Sequence, residues 1–151
     1  MDIQKVLFTV FPLTLIFAVT VGAQSNDVID RFLEQNEAYI DTTIYLAMIA
    51  GDRSPDSVSV ESAVRDFDGE FTRPTMKGGV LTVGDFAAVV VQTLDIPRGI
   101  MSRIFSGPRY ATRDLKALGI IPNSASQFDT LSGEGALSLL GYAVSWKETY
   151  Q

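Results

Sequence analysis

The apolar residues of this chain recur mainly at intervals of three and four positions, which is the spacing of one face of an α-helix. The clearest example covers residues 110–143, where an amphipathic segment stops at Gly119 and a second apolar segment follows a polar loop. Glycine readily takes the left-handed conformation that closes a helix, and Pro122 prevents its continuation. This stretch therefore predicts two helices joined by a loop.

Five earlier segments also keep helical spacing, and a helix is predicted for each. They begin near Asp27, Ile44, Ser59, Thr82 and Pro97. The segment at Thr82 contains three consecutive valines, which favour a strand, but Thr82 and Asp85 resemble a capping box and the apolar residues fit a buried helix. The fold class predicted from these patterns is all-α, as a small orthogonal helical domain.

The segment after Pro97 is predicted to be a short amphipathic helix. The residues expected to face inward are Ile100, Met101, Ile104 and Phe105, and those expected to face outward are Arg98, Ser102 and Arg103. Earlier in the chain, residues 68–80 contain three glycines and a proline, which is typical of a loop. The alternating acids of residues 66–70 resemble a calcium loop, but the later bidentate acid is missing. An acidic turn is therefore preferred over a metal site.

Residues 6–23 form an uncharged apolar run that follows Lys5. With small residues at Val21 and Ala23, this run is typical of a signal peptide. The alternative is an uncleaved membrane anchor, because a run of this length just suffices to span a bilayer, although Pro12 disfavours it. We predict a signal peptide over residues 1–23 and a single helical domain over residues 24–151, exported to the periplasm or cell envelope. A membrane is expected as a partner only if the first segment is retained.

The chain contains no cysteine and no histidine. Disulfides, thiolate nucleophiles, imidazole bases and the usual zinc or haem ligands are therefore excluded, and we expect no metal and no other cofactor. Asp85 and Glu134 could act as an acid and a base, as in glycoside hydrolysis. Both occupy predicted helix starts, where capping accounts for them, so a protein without catalytic activity is the preferred prediction.

Charge is distributed unevenly along the chain, whose net charge is −6. Residues 27–70 hold eleven acids and three bases, whereas residues 71–122 hold seven bases and three acids. Arginines grouped on neighbouring helices suit the phosphate or carboxylate groups of a glycan. The candidate ligand-binding residues are Arg98, Arg103, Arg109, Tyr110, Arg113 and Lys116. The alternative is that basic and acidic helices pair within the fold. Nucleic acid is not expected, because the chain is acidic and predicted to be exported.

Three predicted helix starts share the form x-x-x-acid-x-Ala. They are residues 58–63, 82–87 and 131–136. An acid in the first turn favours the helix dipole, and a small alanine allows a neighbouring helix to approach closely. Helix pairs repeated in this way bury a continuous apolar face only when they pack together.

These residues resemble the S-layer homology (SLH) module, a helical unit of bacterial cell-envelope proteins. Residues 110–121 resemble its first helix and the Gly-Ile-Ile that ends it, and Phe128 matches the aromatic residue of its loop. Residues 82–87 resemble its Thr-Arg-Ala-Glu-Phe-Ala helix start. The likeness covers about residues 78–146. The layout is also similar to that of short periplasmic proteins of spirochaetes with degenerate SLH-like helices.

The resemblance implies SLH-like helix pairs, a location in the cell envelope and binding to cell-wall polysaccharide. Such modules usually occur in threes and often hold the polymer through the arginine of the helix start. That position is Val83, Ser132 or Ser59 in this chain, so the ligand contact of the family is missing.

The resulting prediction is a non-catalytic exported protein that binds cell-wall glycan, either peptidoglycan or an associated polymer, through a degenerate SLH-like domain. One alternative is a scaffold that binds a periplasmic or outer-membrane protein. A small glycan-cleaving enzyme is less favoured.

Overall fold

Seven α-helices and no β-strand are formed by the residues that this computed structural model describes, which are residues 20–54, 58–71, 79–105 and 107–150. In chain order the helices are α1 (Thr20–Leu33), α2 (Ile40–Ala50), α3 (Val60–Glu70), α4 (Val83–Thr93), α5 (Ile100–Ile104), α6 (Pro108–Ala117) and α7 (Gly133–Tyr150). The prediction of an all-α fold is confirmed. Most of the predicted signal peptide, and most of the predicted loop over residues 68–80, lie outside the described residues.

The longer helices form three pairs in chain order, and contacts between different pairs close them into a ring. Each pair has an outer helix followed by an inner helix, namely α1 with α2, α3 with α4, and α6 with α7. The three inner helices contact one another. Each outer helix packs on the inner helix of a different pair, so that α3 lies on α2, α6 on α4 and α1 on α7. The first pair is thereby joined to the last.

Three residues that precede the inner helices are joined by a closed cycle of backbone hydrogen bonds. The N–H of Ala38 donates to the carbonyl of Leu131 at 2.7 Å, Leu131 donates to Leu81 at 3.0 Å, and Leu81 donates back to Ala38 at 2.7 Å. Ala38 and Leu81 are fully buried, where an unpaired peptide group would cost free energy. The cycle therefore holds the starts of α2, α4 and α7 beside one another.

The inner helix α4 lies at the centre of the core. All of its residues except Gln92 are buried, as predicted for this segment despite its three valines. A helix that is apolar on all sides needs partners on all sides, and α2, α6 and α7 supply them. The outer helices contribute large side chains to the same core, among them Phe32 of α1 and Phe67 of α3.

Hydroxyl side chains cap three helix starts. The Thr82 hydroxyl accepts from the N–H of Asp85 at 3.1 Å and donates to the Asp85 carboxylate at 2.7 Å, so the predicted capping pair is confirmed. Ser59 and Ser132 each accept from the backbone N–H three residues further on, at 3.2 Å and 3.1 Å. Gly119, which follows the C-cap residue Leu118 of α6, has a φ of +74°, which confirms its predicted left-handed conformation.

The internal repeat differs from the sequence pattern in two respects. The cap residue Thr82 corresponds to the cap residue Ser132 and not to Leu131, so the pattern is shifted by one residue at 82–87. Leu81 and Leu131 occupy equivalent places before inner helices, but residues 58–63 begin the outer helix α3. The third equivalent position is Ala38, before α2. There Tyr39 occupies the cap position without a side-chain hydrogen bond, so no hydroxyl-and-acid pattern marks this start in the sequence.

The predicted acidic turn over residues 66–70 is wrong, because these residues form the last part of α3. Phe67 is fully buried and its ring lies 5.2 Å from that of Phe71, measured between centroids. Burial of this aromatic side chain favours continuation of the helix through the acids, which stay on the exposed side.

The predicted orientation of α5 is also wrong. Ser102 is only 4% exposed, whereas the four apolar residues expected to face inward are exposed, namely Ile100, Met101, Ile104 and Phe105. Ser102 faces a small cavity of about 50 Å³ that is also lined by Ala88 and Val91 of α4. The space between α5 and the already covered α4 therefore accepts a small side chain and leaves no core surface for the larger ones.

Candidate binding groove beside α6

An open groove of about 840 Å³ lies between α6 and the loop that precedes α7. Its lining residues are Met101 of α5, then Arg109, Tyr110, Thr112, Arg113 and Lys116 of α6, and Ser126, Gln127 and Phe128 of the loop. We refer to this surface as the α6 groove. Four of the six residues predicted to bind a ligand share it.

Three cations form a stripe along the α6 groove. Arg109, Arg113 and Lys116 follow one another at spacings of four and three residues, which places them on one face of the helix. Like charges at this spacing destabilise a helix by roughly 0.2–0.5 kcal/mol per pair. Within the described residues the two arginines form no ion pair, and Lys116 donates to the backbone carbonyl of Asn123 at 3.1 Å. Their positive charge therefore remains available to an anion.

The loop side of the groove is anchored to the start of α4. The N–H groups of Val83 and Gly84 donate to the carbonyls of Asp129 and Gln127, each at 2.9 Å. The first N–H groups of a helix have no partner within the helix. Here the loop satisfies two of them, and Thr82 satisfies a third. The buried inner helix therefore fixes the position of the loop.

Hydrogen bonds within the loop hold Phe128 at the surface. The Asp129 carboxylate accepts from the N–H of Ser126 at 2.6 Å, and the Ser126 hydroxyl accepts from the N–H of Phe128 at 3.3 Å. The Phe128 side chain is 77% exposed on this turn. Together with Tyr110, it gives the groove aromatic surface beside its cations, a combination of apolar and polar groups that is common in ligand sites.

Both ends of α5 are tied to α6 at the edge of the groove. The ring of Tyr110 stacks on that of Phe105, with centroids 5.9 Å apart and planes inclined by 23°. At the other end, the N–H of Gly99 donates to the Asp114 carboxylate at 3.3 Å. Asp114 is the one acid of α6, and this contact directs it towards α5. It does not line the α6 groove.

The other two predicted residues lie outside the α6 groove. Arg103 is exposed on α5. Arg98 is half-buried and lines the separate small cavity beside Ser102. The charge pattern grouped these arginines with the groove because it carries no information about the direction of each side chain. The lining residues that were not predicted to bind a ligand are Met101, Thr112, Ser126, Gln127 and Phe128. Of these, only Phe128 gave a signal in the sequence, as an aromatic residue within a polar loop.

The acids at the helix starts are placed to stabilise helix ends. Asp85 is 5% exposed and accepts from the Thr82 hydroxyl, while Glu134 is exposed in the first turn of α7. Neither lines the α6 groove. At the start of α3, the carboxylate of Glu61 accepts hydrogen bonds from the backbone N–H of Glu61 and from the Ser59 side chain. These hydrogen bonds lower the pKa of Glu61 below its ordinary value. The carboxylate form is thus favoured at that helix start.

Among the described residues, no group of carboxylates is arranged to hold a metal ion. In the same parts of the chain, no helix combines the length and the apolar character that crossing a bilayer requires. Comparison of the chain with protein-family models, with curated proteins and with solved structures gives no match.

Proposed function

We propose that this chain is a non-catalytic exported binding module that holds an anionic glycan of the cell envelope in the α6 groove. The observation that carries the proposal is the stripe of Arg109, Arg113 and Lys116, which shares an open groove with Tyr110 and Phe128 and with no carboxylate among the lining residues. Guanidinium groups bind carboxylate and phosphate oxygens in a bidentate manner. The aromatic rings offer flat apolar surface to a sugar ring.

The charge distribution favours an acidic ligand at this surface. Residues 98–128 hold five bases and one acid, a net charge of +4, which leaves −10 for the rest of a chain whose total is −6. A polyanion is repelled by the acidic parts of the protein and attracted to this one region. Three of the five bases line the groove, so it belongs to the region that attracts such a polymer.

The arrangement of the helices supports the same proposal. The sequence resembles the SLH module, which usually occurs in threes, and three helix pairs pack here in a closed ring. Those modules often use an arginine at the helix start, where this chain has Val83, Ser132 or Ser59. In our proposal the arginines come from an outer helix instead, so the contact lies at a different place from that of the family.

Co-sedimentation with purified peptidoglycan or wall polymer tests the proposal. Hydrogen bonds to charged groups contribute about 1.5–3 kcal/mol each. Changing Arg109→Gln and Arg113→Gln together is therefore expected to weaken binding by roughly tenfold or more. The matched control is Arg65→Gln with Lys147→Gln, which removes the same charge from α3 and α7. Equal retention of the two double variants by the polymer would remove the groove from the mechanism.

Different results select the two alternatives. A single stoichiometric protein captured from an envelope extract, together with no binding to glycan, favours a scaffold that recognises a periplasmic or outer-membrane protein. Release of muropeptides that disappears after Asp85→Asn or Glu134→Gln favours an enzyme. The buried, hydrogen-bonded position of Asp85 at a helix start supports a structural role for this residue over a catalytic one.

A further inference from the structure

The apolar residues of α5 form an exposed surface beside the α6 groove. Ile100 is 78% exposed and Ile104 is 65% exposed, and Met101 and Phe105 are also exposed. We refer to these four residues as the α5 face. Single exposed apolar residues are common on folded proteins, whereas a contiguous group of large ones marks an interaction surface.

This exposure is built into the fold. Ser102 is the residue of α5 that faces the protein, and it is buried. The Gly99–Asp114 hydrogen bond fixes the start of α5, and the Phe105–Tyr110 stack fixes its end. Rotating α5 to bury Ile100 and Ile104 would break both contacts and would expose Ser102 in their place. The apolar side chains are thus held towards solvent.

The chemistry of the α5 face differs from that of the α6 groove. The ring of Phe105 is already stacked on that of Tyr110. The other three side chains, Ile100, Met101 and Ile104, are flexible and offer no flat ring to a sugar. Hydrocarbon is the better match for them. Arg103 lies on the same short helix, and Arg98 and Arg109 flank it in the sequence. Between residues 96 and 128 the only acid is Asp114, whose carboxylate accepts a hydrogen bond from the N–H of Gly99. The complementary surface is therefore apolar and carries negative charge.

A bilayer that contains anionic lipids has both properties at its surface. Apolar side chains enter the boundary between headgroups and acyl chains, while arginines contact the phosphates. We propose that the α5 face inserts into the interface of an anionic lipid bilayer, with Arg103 beside it at the level of the lipid phosphates. This contact is distinct from any membrane contact of residues 6–23, and it does not depend on glycan binding in the α6 groove.

A fluorescent label at one position tests the insertion directly. The chain has no cysteine, so Ile104→Cys gives the full-length protein a single site for an environment-sensitive dye. The matched control is Tyr142→Cys, because Tyr142 of α7 has the same 65% exposure as Ile104. The dye reports its own surroundings, so anchoring of the protein through another segment does not imitate insertion of α5.

Insertion predicts a blue shift of the dye at position 104, and quenching by spin-labelled lipid, with vesicles of phosphatidylcholine and phosphatidylglycerol. The dye at position 142 is expected to show neither change. Since salt shortens the Debye length from about 10 Å at 0.1 M to about 3 Å at 1 M, the shift at position 104 should diminish in high salt. Adding Arg103→Glu should reduce it as well.

Several results would overturn the proposal. They are the absence of a shift at position 104 with anionic vesicles, an equal shift with phosphatidylcholine alone, and a shift that Arg103→Glu leaves unchanged. A shift without vesicles that grows with protein concentration would assign the α5 face to a second copy of the chain. A shift caused by envelope proteins and not by vesicles would assign it to a protein partner. Circular dichroism of each labelled variant confirms that it is folded.

Discussion

The ring of Tyr110 stacks on the ring of Phe105, with the two centroids 5.9 Å apart, and Tyr110 also lines the α6 groove. One side chain therefore supports the end of α5 and forms part of the groove. Aromatic pairs contribute about 0.5–1.5 kcal/mol beyond the burial of their area. Tyr110→Ala is expected to lower the free energy of unfolding by about this amount, measured by urea denaturation, and to weaken polymer binding in co-sedimentation.

Tyr150→Ala is the control for this prediction. The Tyr150 ring lies 5.3 Å from that of Trp146, measured between centroids, so a similar aromatic pair is lost at the end of α7. Neither residue lines the α6 groove. Because Tyr150 is 70% exposed, a loss of stability no larger than that of Tyr110→Ala is expected, with unchanged polymer binding. If Tyr150→Ala weakened binding as much as Tyr110→Ala, the effect would arise from stability and not from the groove.

Gly133 allows the start of α7 to lie against the end of α1. A Cβ atom at this position would be 1.6 Å from the carbonyl oxygen of Phe32, and the N–H of Gly133 donates to the carbonyl of Gln35 at 2.9 Å. Because the obstacle is backbone, Gly133→Ala must displace α1 from α7. A loss of about 3 kcal/mol in the free energy of unfolding is expected, measured by urea denaturation.

Gly141→Ala provides the opposite result on the same helix. A Cβ atom at Gly141 meets nothing within 4 Å, and the residue is exposed in the interior of α7. Alanine is favoured over glycine in a helix by roughly 0.5–1 kcal/mol, so this variant is expected to be more stable than the original protein. Equal effects of the two substitutions would contradict the close packing of α7 on α1.

The helices could be predicted from the sequence where the signals are local. Thr82 and Asp85 mark the start of α4, and the spacing of its apolar residues marks its length. The start of α2 at Ile40 carries no such signal, because it is set by backbone hydrogen bonds to residues distant in the chain, such as Leu131 and Gly79. Periodicity also identifies which residues of α5 share a face. It does not show whether any core surface remains for that face to cover.

The candidate site could be predicted only in part for the same reason. Arg109, Arg113 and Lys116 lie on one helix, so their common face follows from spacing alone. Phe128 joins them because carbonyls on either side of it cap the distant helix α4, and that pairing leaves no pattern in the sequence. Charge alone groups Arg103 with them, but Met101 is the residue of α5 that lines the groove, and Arg103 is exposed elsewhere on that helix.

Arg53 connects the C-terminal ends of α2, α3 and α4. Its guanidinium pairs with Glu70 of α3 at 2.9 Å and with Asp95 just after α4. It also lies 5.6 Å from the centroid of the Phe71 ring. These groups are partly exposed, so solvent screens the ion pairs, and Arg53→Ala is expected to lower the free energy of unfolding by about 1 kcal/mol.

Salt dependence distinguishes these ion pairs from simple loss of packing. Screening weakens exposed ion pairs at high ionic strength, so the deficit of Arg53→Ala measured by urea denaturation should be smaller at about 1 M than at about 0.1 M sodium chloride. Arg65→Ala on the exposed side of α3 is the control, with an effect near zero expected. A deficit that salt leaves unchanged would assign the role of Arg53 to its contact with Phe71 and to the hydrogen bond from its Nε to the carbonyl of Thr93.

Glu61 links the stability of the protein to pH. Its own backbone N–H and the Ser59 hydroxyl lower the pKa of Glu61, because both donate hydrogen bonds to the carboxylate. A carboxyl group with a lower pKa in the folded state stabilises the fold above its unfolded pKa, and this contribution is lost as the pH falls through the folded value. Glu61→Gln is therefore expected to lower the melting temperature at neutral pH, and the difference from the original protein should vanish in acid.

Thermal melts followed by circular dichroism from pH 7 down to pH 3 measure the difference in melting temperature between Glu61→Gln and the original protein, with Glu148→Gln near the end of α7 as control. A difference that persists unchanged in acid would show that Glu61 stabilises α3 by something other than its charge.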